Sequence, residues 1–384
     1  MLLVRNLQRT GRFDTIGAVQ RATIVGAGVF GSWIAHALKA RGWKITLIDQ
    51  HGPANARASS GGESRIIRAS YGRLGIYSQW ARESLPAWLA LEEQVQQHLF
   101  VKTGALFLSG GGSWLSDTAA TLAANAIDTA WISRSELARR FPQLRDAGVG
   151  DALFEPDAGV LFARRSVQAL VSALAADGVR VVQARVDART LLEESDDQVV
   201  IFAAGAWLPS LLPEGLSDAI APTRQEVFFF GTPPGDARFG PTQMPAWVAF
   251  DDGIYGLPDL EHRGVKVAFD AHGPRADPET MDRSVDDAAI ARARDVLQRH
   301  LPALAGAPLL ETRVCQYENT TDGHLLLDQL PGHARVWIAG GGSGHGFKHG
   351  PAVGRYMADV IESRRDPEPA FQLTGRPPRQ RAVY

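Results

Sequence analysis

The spacing of apolar and polar residues changes several times along the chain, and the first change is the sharpest. Ala22-Thr23-Ile24-Val25 is a short apolar run that meets Gly26-Ala27-Gly28-Val29-Phe30-Gly31. Apolar positions then recur at helical spacing through Leu38 and stop at Gly42, and Ile45 to Ile48 is apolar again before Asp49 closes it. The pattern predicts a strand, a helix and a second strand. Two later runs, Val199 to Gly205 and Val336 to Ala339 running into Gly340, are apolar almost throughout, as suits central parallel strands covered on both faces. Elsewhere the period is two. In Val265-Lys266-Val267-Ala268-Phe269-Asp270, the residues Val265, Val267 and Phe269 share one face and Lys266, Ala268 and Asp270 the other. With the aromatic run Phe228-Phe229-Phe230, this predicts a second, mostly antiparallel sheet. A long helix is predicted over about Ile76 to Leu99. Gly340 to Gly350 reads as a glycine turn entering a helix at about Gly346, because Val353, Met357, Val360 and Ile361 follow at helical spacing.

These elements define an α/β fold class: a Rossmann-like nucleotide-binding domain with a second α+β domain built on a mostly antiparallel sheet. With 384 residues the chain exceeds the size at which one core stops growing, so two domains are expected. The predicted nucleotide domain is discontinuous, 21–100, 158–222 and 311–384, and the second domain takes 101–157 and 223–310. Residues 1–20 read as a loosely attached extension, and the proline- and arginine-rich tail after Asp366 as surface chain. Forty basic against 42 acidic side chains give no electrostatic reason for a nucleic-acid or anionic-membrane partner. No apolar run approaches the roughly 20 residues a membrane helix needs, and the first residues lack a signal-peptide pattern, so a cytoplasmic protein is expected. Cys315 is the single cysteine, which excludes an internal disulfide and a multi-cysteine metal site. That thiol is either inert filler or specifically used.

The glycine spacing carries chemistry. Gly26 permits a tight turn, Gly28 lets backbone approach a pyrophosphate, and Gly31 lets helix pack on strand, while the helix N-terminus presents unpaired N–H groups to phosphate. Asp49 stands where an acidic group accepts ribose hydroxyls, so an adenine dinucleotide is the expected ligand. His345 and His349 are four apart and could face one way, but no third ligand accompanies them and no metal is expected.

Four blocks in order along the chain resemble the monomeric sarcosine oxidase and N-methyltryptophan oxidase group of the D-amino-acid oxidase superfamily. They are the fingerprint with Asp49, Ser59-Ser60-Gly61-Gly62-Glu63-Ser64-Arg65-Ile66-Ile67-Arg68 ahead of Tyr71-Gly72, Ala204-Gly205-Ala206-Trp207, and Cys315-Gln316-Tyr317 with Ser343-Gly344-His345-Gly346-Phe347-Lys348. The resemblance implies FAD as cofactor, held by Gly26, Gly28, Val29, Phe30, Gly31, Asp49, Ser60, Ser64, Arg65, Ile66, Gly205, Trp207, Gly344, His345, Gly346, Phe347 and Lys348, and covalently joined through Cys315. It further implies that Lys266 stands beside the flavin and assists dioxygen, that Arg68 and Lys348 bind a substrate carboxylate, and that Tyr255 and Tyr317 line the substrate cavity. The implied activity is oxidation of a secondary or cyclic amine of an amino acid, with dioxygen as acceptor and hydrogen peroxide as product. The alternatives are a dehydrogenase of the same fold with another acceptor, or a non-catalytic flavin-binding protein. The expected partners are a small amino-acid-type substrate and dioxygen, acting on a monomer. The chain departs from the group where Asp270 replaces a histidine and where Gly61 does the same, which points to a substrate larger than sarcosine with a polar or basic part near Asp270.

Overall fold

The computed structural model describes residues 19–109, 111–145, 150–213 and 216–377, so the predicted N-terminal extension lies almost wholly outside the described residues. The nucleotide sheet has six strands in the spatial order Leu326–Gln329, Val336–Gly340, Val199–Phe202, Arg21–Val25, Lys44–Asp49 and Arg180–Gln183. All neighbours pair in parallel except the edge strand Leu326–Gln329, which runs antiparallel. The apolar runs Val199–Phe202 and Val336–Gly340 are buried along their whole length, because helices and loops cover both faces of the sheet. On one face the helices Val29–Ala40 and Gly350–Ile361 pack closely. Gly354 makes that approach possible, since a side chain there would run into the Trp33 backbone.

The second sheet has eight strands in the order Leu309–Thr320, Ile220–Phe230, Val265–Phe269, Ile254–Leu257, Ala246–Ala249, Ala105–Leu108, Ala152–Glu155 and Ala130–Ile132. It is antiparallel apart from the pairing of Ala246–Ala249 with Ala105–Leu108. The period-two pattern sorts its faces. Phe228, Phe230, Val265 and Val267 join a core with Ala289, Ala293, Val296 and Leu297 of the helix Asp287–His300, whereas Val227, Phe229 and Ala268 form a separate cluster with Tyr255 on the other face. Cys315 stands on Leu309–Thr320, opposite Gln225, and so belongs to this sheet. A third, small sheet joins Arg65–Ile67, Gly159–Leu161 and Phe100–Val101.

Three elements differ from the sequence reading. The long helix spans Gly75–Val95 and ends at Gln96 in a left-handed conformation, φ 52°. The Glu92 carboxylate then accepts the N–H groups of Leu99 and Phe100, so the apolar continuation to Leu99 belongs to a turn. The C-terminal helix begins at Gly350 after a 3-10 turn, Phe347–His349, with Pro351 in its first turn, where a missing N–H is harmless. The described part of the tail after Asp366, residues 367–377, is anchored at several points rather than lying wholly on the surface. Phe371 and Leu373 are buried, and Arg376 pairs with half-buried Asp322 at 2.5 Å. Among the described residues no helix is long and apolar enough to cross a membrane.

Candidate active site

Gly26 leaves the first strand at φ +108°, and a side chain on it would strike the Ala203 carbonyl, so the loop after the neighbouring strand lies directly against the turn. Gly28 stands at the N-cap of the helix Val29–Ala40 and has no side chain to cap it, and Gly28 and Val29 line a cavity. Ser60 Oγ takes the Val29 N–H at 3.1 Å. Asp49 accepts from the N–H groups of Ala27 and His51, both at 2.9 Å, and this fixes its carboxylate at the strand end. A cavity of about 1650 Å³ opens here, lined by Gly26, Gly28, Val29, Phe30, Asp49, Ser60, Gly205 and Trp207 among others. Gly31 lies behind it, packed on Gly26 and Ala203. Trp207 is oriented by a 2.8 Å bond from its indole N–H to Glu279.

Farther along, three elements bring Arg65, Lys266 and Cys315 together. Arg65 donates to the carbonyls of Ser64 and Ser59 at 2.7 and 2.6 Å, and its Nη2 stands 3.6 Å from the Cys315 sulfur. Lys266, only 2% exposed, donates to the Ser64 carbonyl at 3.0 Å, and its ammonium lies 5.5 Å from the centre of the Tyr255 ring. Burial first, and the Arg65 cation second, lower the Lys266 pKa to about 7. The Tyr317 hydroxyl donates to Asp270 at 3.3 Å, while its ring lies against Gly344, where a side chain would come within 2.8 Å. Gly346 meets Phe30 in the same way, so the Gly344–Gly346 turn is wedged between the second sheet and the first helix.

A second group of cations gathers around Tyr71. Arg68 stands 4.5 Å from the centre of the Tyr71 ring and 5.7 Å from that of Phe107, and the Lys348 ammonium donates to the Tyr71 hydroxyl at 2.7 Å and to the His345 carbonyl at 2.8 Å. Burial, with Arg68 adding to it, holds the Lys348 pKa well below the ordinary lysine range. The nearby carboxylates of Asp270 and Glu155 act in the opposite direction. Glu155 is itself buried and accepts from the Ala69 N–H and the Ser70 hydroxyl, each at 2.7 Å. His345 and His349 both bond to the Tyr71 hydroxyl, at 3.3 and 2.8 Å, and burial pushes both far toward the neutral imidazole.

The residues singled out from sequence therefore fall into three places: the nucleotide cavity, the Arg65–Lys266–Cys315 group and the Arg68–Lys348 pair. Of these three places the first alone lines the 1650 Å³ cavity, and two of the residues pack into apolar clusters. Ile66 packs among apolar residues beside the second sheet, and the Phe347 ring stacks on Trp88 at 5.5 Å inside the nucleotide-domain core. Sequence reasoning missed the parts played by Tyr71, Glu155 and Glu318. Glu318 is a buried carboxyl that lines the nucleotide cavity, and burial raises its pKa to about 7. Glu155 had one available signal, a charged residue closing the apolar strand Ala152–Glu155, whereas Glu318 lies among the polar residues Gln316, Asn319 and Thr320 and had none.

The model of the FAD dependent oxidoreductase family, DAO, matches residues 21–360. Peroxisomal sarcosine oxidase of Mus musculus is 31% identical over 361 residues, covering 88% of this chain and 91% of that protein. N-methyl-L-tryptophan oxidase of Salmonella heidelberg (strain SL476) is 26% identical, covering 91% and 96%. Among solved structures, L-proline dehydrogenase from P. horikoshii superimposes with a TM-score of 0.79 at 20% identity, covering 92% of this chain and 97% of that one. With two sheets arranged around one nucleotide cavity and a family match that runs through nearly all the described chain, the protein belongs to the DAO family of FAD dependent oxidoreductases, in its sarcosine oxidase group.

Proposed function

We propose that the chain oxidises the secondary or cyclic amine of an amino acid, using FAD, and that dioxygen restores the cofactor with release of hydrogen peroxide. The observation that carries this reading is the convergence of two buried cations, Arg68 and Lys348, on the Tyr71 ring. The two positive charges share this buried place with the carboxylates of Asp270 and Glu155, and an arriving anion adds to their neutralisation. A planar guanidinium and a point-charge ammonium together suit a carboxylate.

The residues fit FAD. The Gly26 turn leaves room that any side chain would fill, the glycine-capped helix N-terminus, of whose N–H groups Ser60 takes that of Val29, suits a pyrophosphate, and Asp49 is held at the ribose position. Bound FAD supplies a two-electron acceptor for the hydride on the carbon next to nitrogen. The chain supplies the setting. Arg68 and Lys348 orient the substrate by its carboxylate, Tyr255 and Tyr317 bound the cavity, and the surrounding burial excludes water. Lys266 offers a fixed positive charge for the reduction of dioxygen, and Cys315, with the Arg65 cation beside it, is the tether for the cofactor. Asp270, joined to the Tyr317 hydroxyl, faces the polar or basic part of the substrate.

Anaerobic mixing with N-methyl and cyclic amino acids tests this reading. Carboxylate-bearing amines are expected to bleach the oxidised flavin absorbance, and the same amines without the carboxylate to do so about 100-fold more weakly. Failure of every amine to bleach it rejects the proposal. Peroxide formed per turnover reports the acceptor, and yellow colour that survives acid precipitation reports the tether.

A further inference from the structure

Glu318 stands apart from the other buried acids. Glu155 is satisfied by the Ala69 and Ser70 donors, and half-buried Glu63 lies within ion-pair distance of Arg164, Arg263 and Arg313. Glu318 is only 8% exposed, its Oε1 accepts one bond from the Gly342 N–H at 3.2 Å, and its Oε2 is buried with no hydrogen-bond partner among the described residues. A buried acceptor left unmade is costly, and native structures rarely keep one without a ligand or water to meet it.

The surroundings say which ligand. Glu318 lines the nucleotide cavity, and its carboxyl sits in a cradle of three glycines, Gly205, Gly340 and Gly342, whose missing side chains leave the space around it open. Gly205 follows Ala203 and Ala204, the two residues that lie against the Gly26 turn. On the other side, Cys315 lies three positions earlier on the same strand, and Tyr317 abuts the Gly344 turn. The carboxyl therefore lies between the turn suited to a pyrophosphate and the Cys315 end suited to the flavin ring. The part of FAD that joins those two is a hydroxylated five-carbon chain. Phosphate oxygens only accept and are negatively charged, so they suit a carboxylate poorly, whereas hydroxyl groups can donate to it.

We propose that Glu318 binds the polyol chain of the cofactor, with Oε2 hydrogen-bonded to one of its hydroxyls. This rests on the FAD reading above. It explains why so desolvated an acid, its pKa raised to about 7, is kept in the cavity wall: the bound hydroxyl provides the partner that the protein does not.

The test uses the full chain in a Cys315→Ser background, so that binding is reversible, freed of cofactor and titrated by flavin fluorescence and calorimetry. Glu318→Ala is expected to weaken FAD about 10- to 100-fold, Glu318→Gln, which can still hydrogen-bond a hydroxyl, to stay within about threefold of the parent, and ADP, which lacks the polyol and ring, to bind all three chains alike. Equal loss of ADP and FAD in Glu318→Ala overturns the inference, as does unchanged FAD affinity. A parent chain that binds ADP but refuses FAD overturns the FAD reading with it. Should Glu318→Ala fail to fold, the parent is titrated with a dinucleotide carrying a plain alkyl chain in place of the polyol. Weakening of about tenfold supports the proposal, and affinity within threefold of FAD overturns it.

Discussion

At the glycine turn the groups proposed to face the ligand are backbone amides, placed by one strand-helix-strand unit and braced by Asp49 and Ser60. At the cationic end they are side chains, Arg68, Lys266 and Lys348, brought from three distant parts of the chain and buried against tyrosines. The first end is specified by conformation and tolerates solvent. The second is specified by charge in a place that resists charge, so its properties depend on what else is buried beside it. Substitutions should separate the two: at the glycine turn they should remove the cofactor, and at the cations they should leave the cofactor in place and remove chemistry.

The largest expected effect is at Lys266. A fixed ammonium about 4 Å from a forming anion contributes roughly 4 kcal/mol at an effective dielectric near 20, about a thousandfold in rate. Lys266→Met should slow reoxidation by dioxygen by about that factor in stopped-flow measurements, with substrate reduction little changed. The same variant should stabilise the protein. The folded-state pKa, about 7, lies below the ordinary lysine value of 10.5, so the folded state disfavours the proton and the unfolded state binds more of it between those limits. The native lysine is therefore most destabilising below pH 7, and its cost fades as pH rises toward 10.5. Denaturation of Lys266→Met against the parent should show the largest gain at pH 6 and almost none at pH 10. A uniform gain would mean that the lysine is not buried as a charge.

Lys348→Met comes next. Loss of one charge-assisted contact to the substrate carboxylate should lower kcat/KM about 100-fold, mostly through KM, and leave amines without a carboxylate unaffected. Because burial and Arg68 depress the Lys348 pKa, carboxylate inhibitors should bind the parent more weakly as pH rises, beginning well below the ordinary lysine range. Inhibitor titrations followed by the flavin spectrum check this. Gly26→Ala tests the other end. The left-handed-side φ of +108° and the Ala203 carbonyl leave no room for a methyl group, so a loss of about 2 kcal/mol in stability and release of flavin on purification are expected. If Gly26→Ala kept its flavin while Lys348→Met lost it, the contrast between the two ends would be wrong.

The same contrast explains what could be read from sequence. The unit Arg21 to Asp49 is local: its periods, its glycines and its closing acid lie close together in the chain, and strand, helix and strand form where the pattern places them. The face assignment of Lys266 was legible for the same reason, since alternation in one strand decides it. Tyr71, Glu155 and Glu318 were not legible, because their importance comes from long-range neighbours: Tyr71 meets Lys348, His345 and His349, Glu155 meets Ala69 and Ser70, and Glu318 meets glycines at the ends of two other strands. The tail failed for a related reason. Its prolines and arginines suggested solvent, while two apolar residues, Phe371 and Leu373, decided its position.

The smallest expected effect, at Asp270, is the one that sharpens the cationic end most. Its carboxylate accepts from Tyr317 and also raises the proton affinity of Lys348, so it could serve either as counter-charge or as a substrate contact. The two roles differ in what Asp270→Asn does. A counter-charge acts on every carboxylate-bearing substrate alike, because it works through Lys348. A contact to the distal part of the substrate discriminates: a carboxylate repels an acidic side chain and attracts a basic one, worth about 1 to 2 kcal/mol at a half-buried site. The ratio of kcat/KM for basic over acidic N-methyl amino acids should therefore fall about tenfold in Asp270→Asn. If both substrates change by the same factor, Asp270 serves Lys348 and the specificity resides elsewhere in the cavity wall.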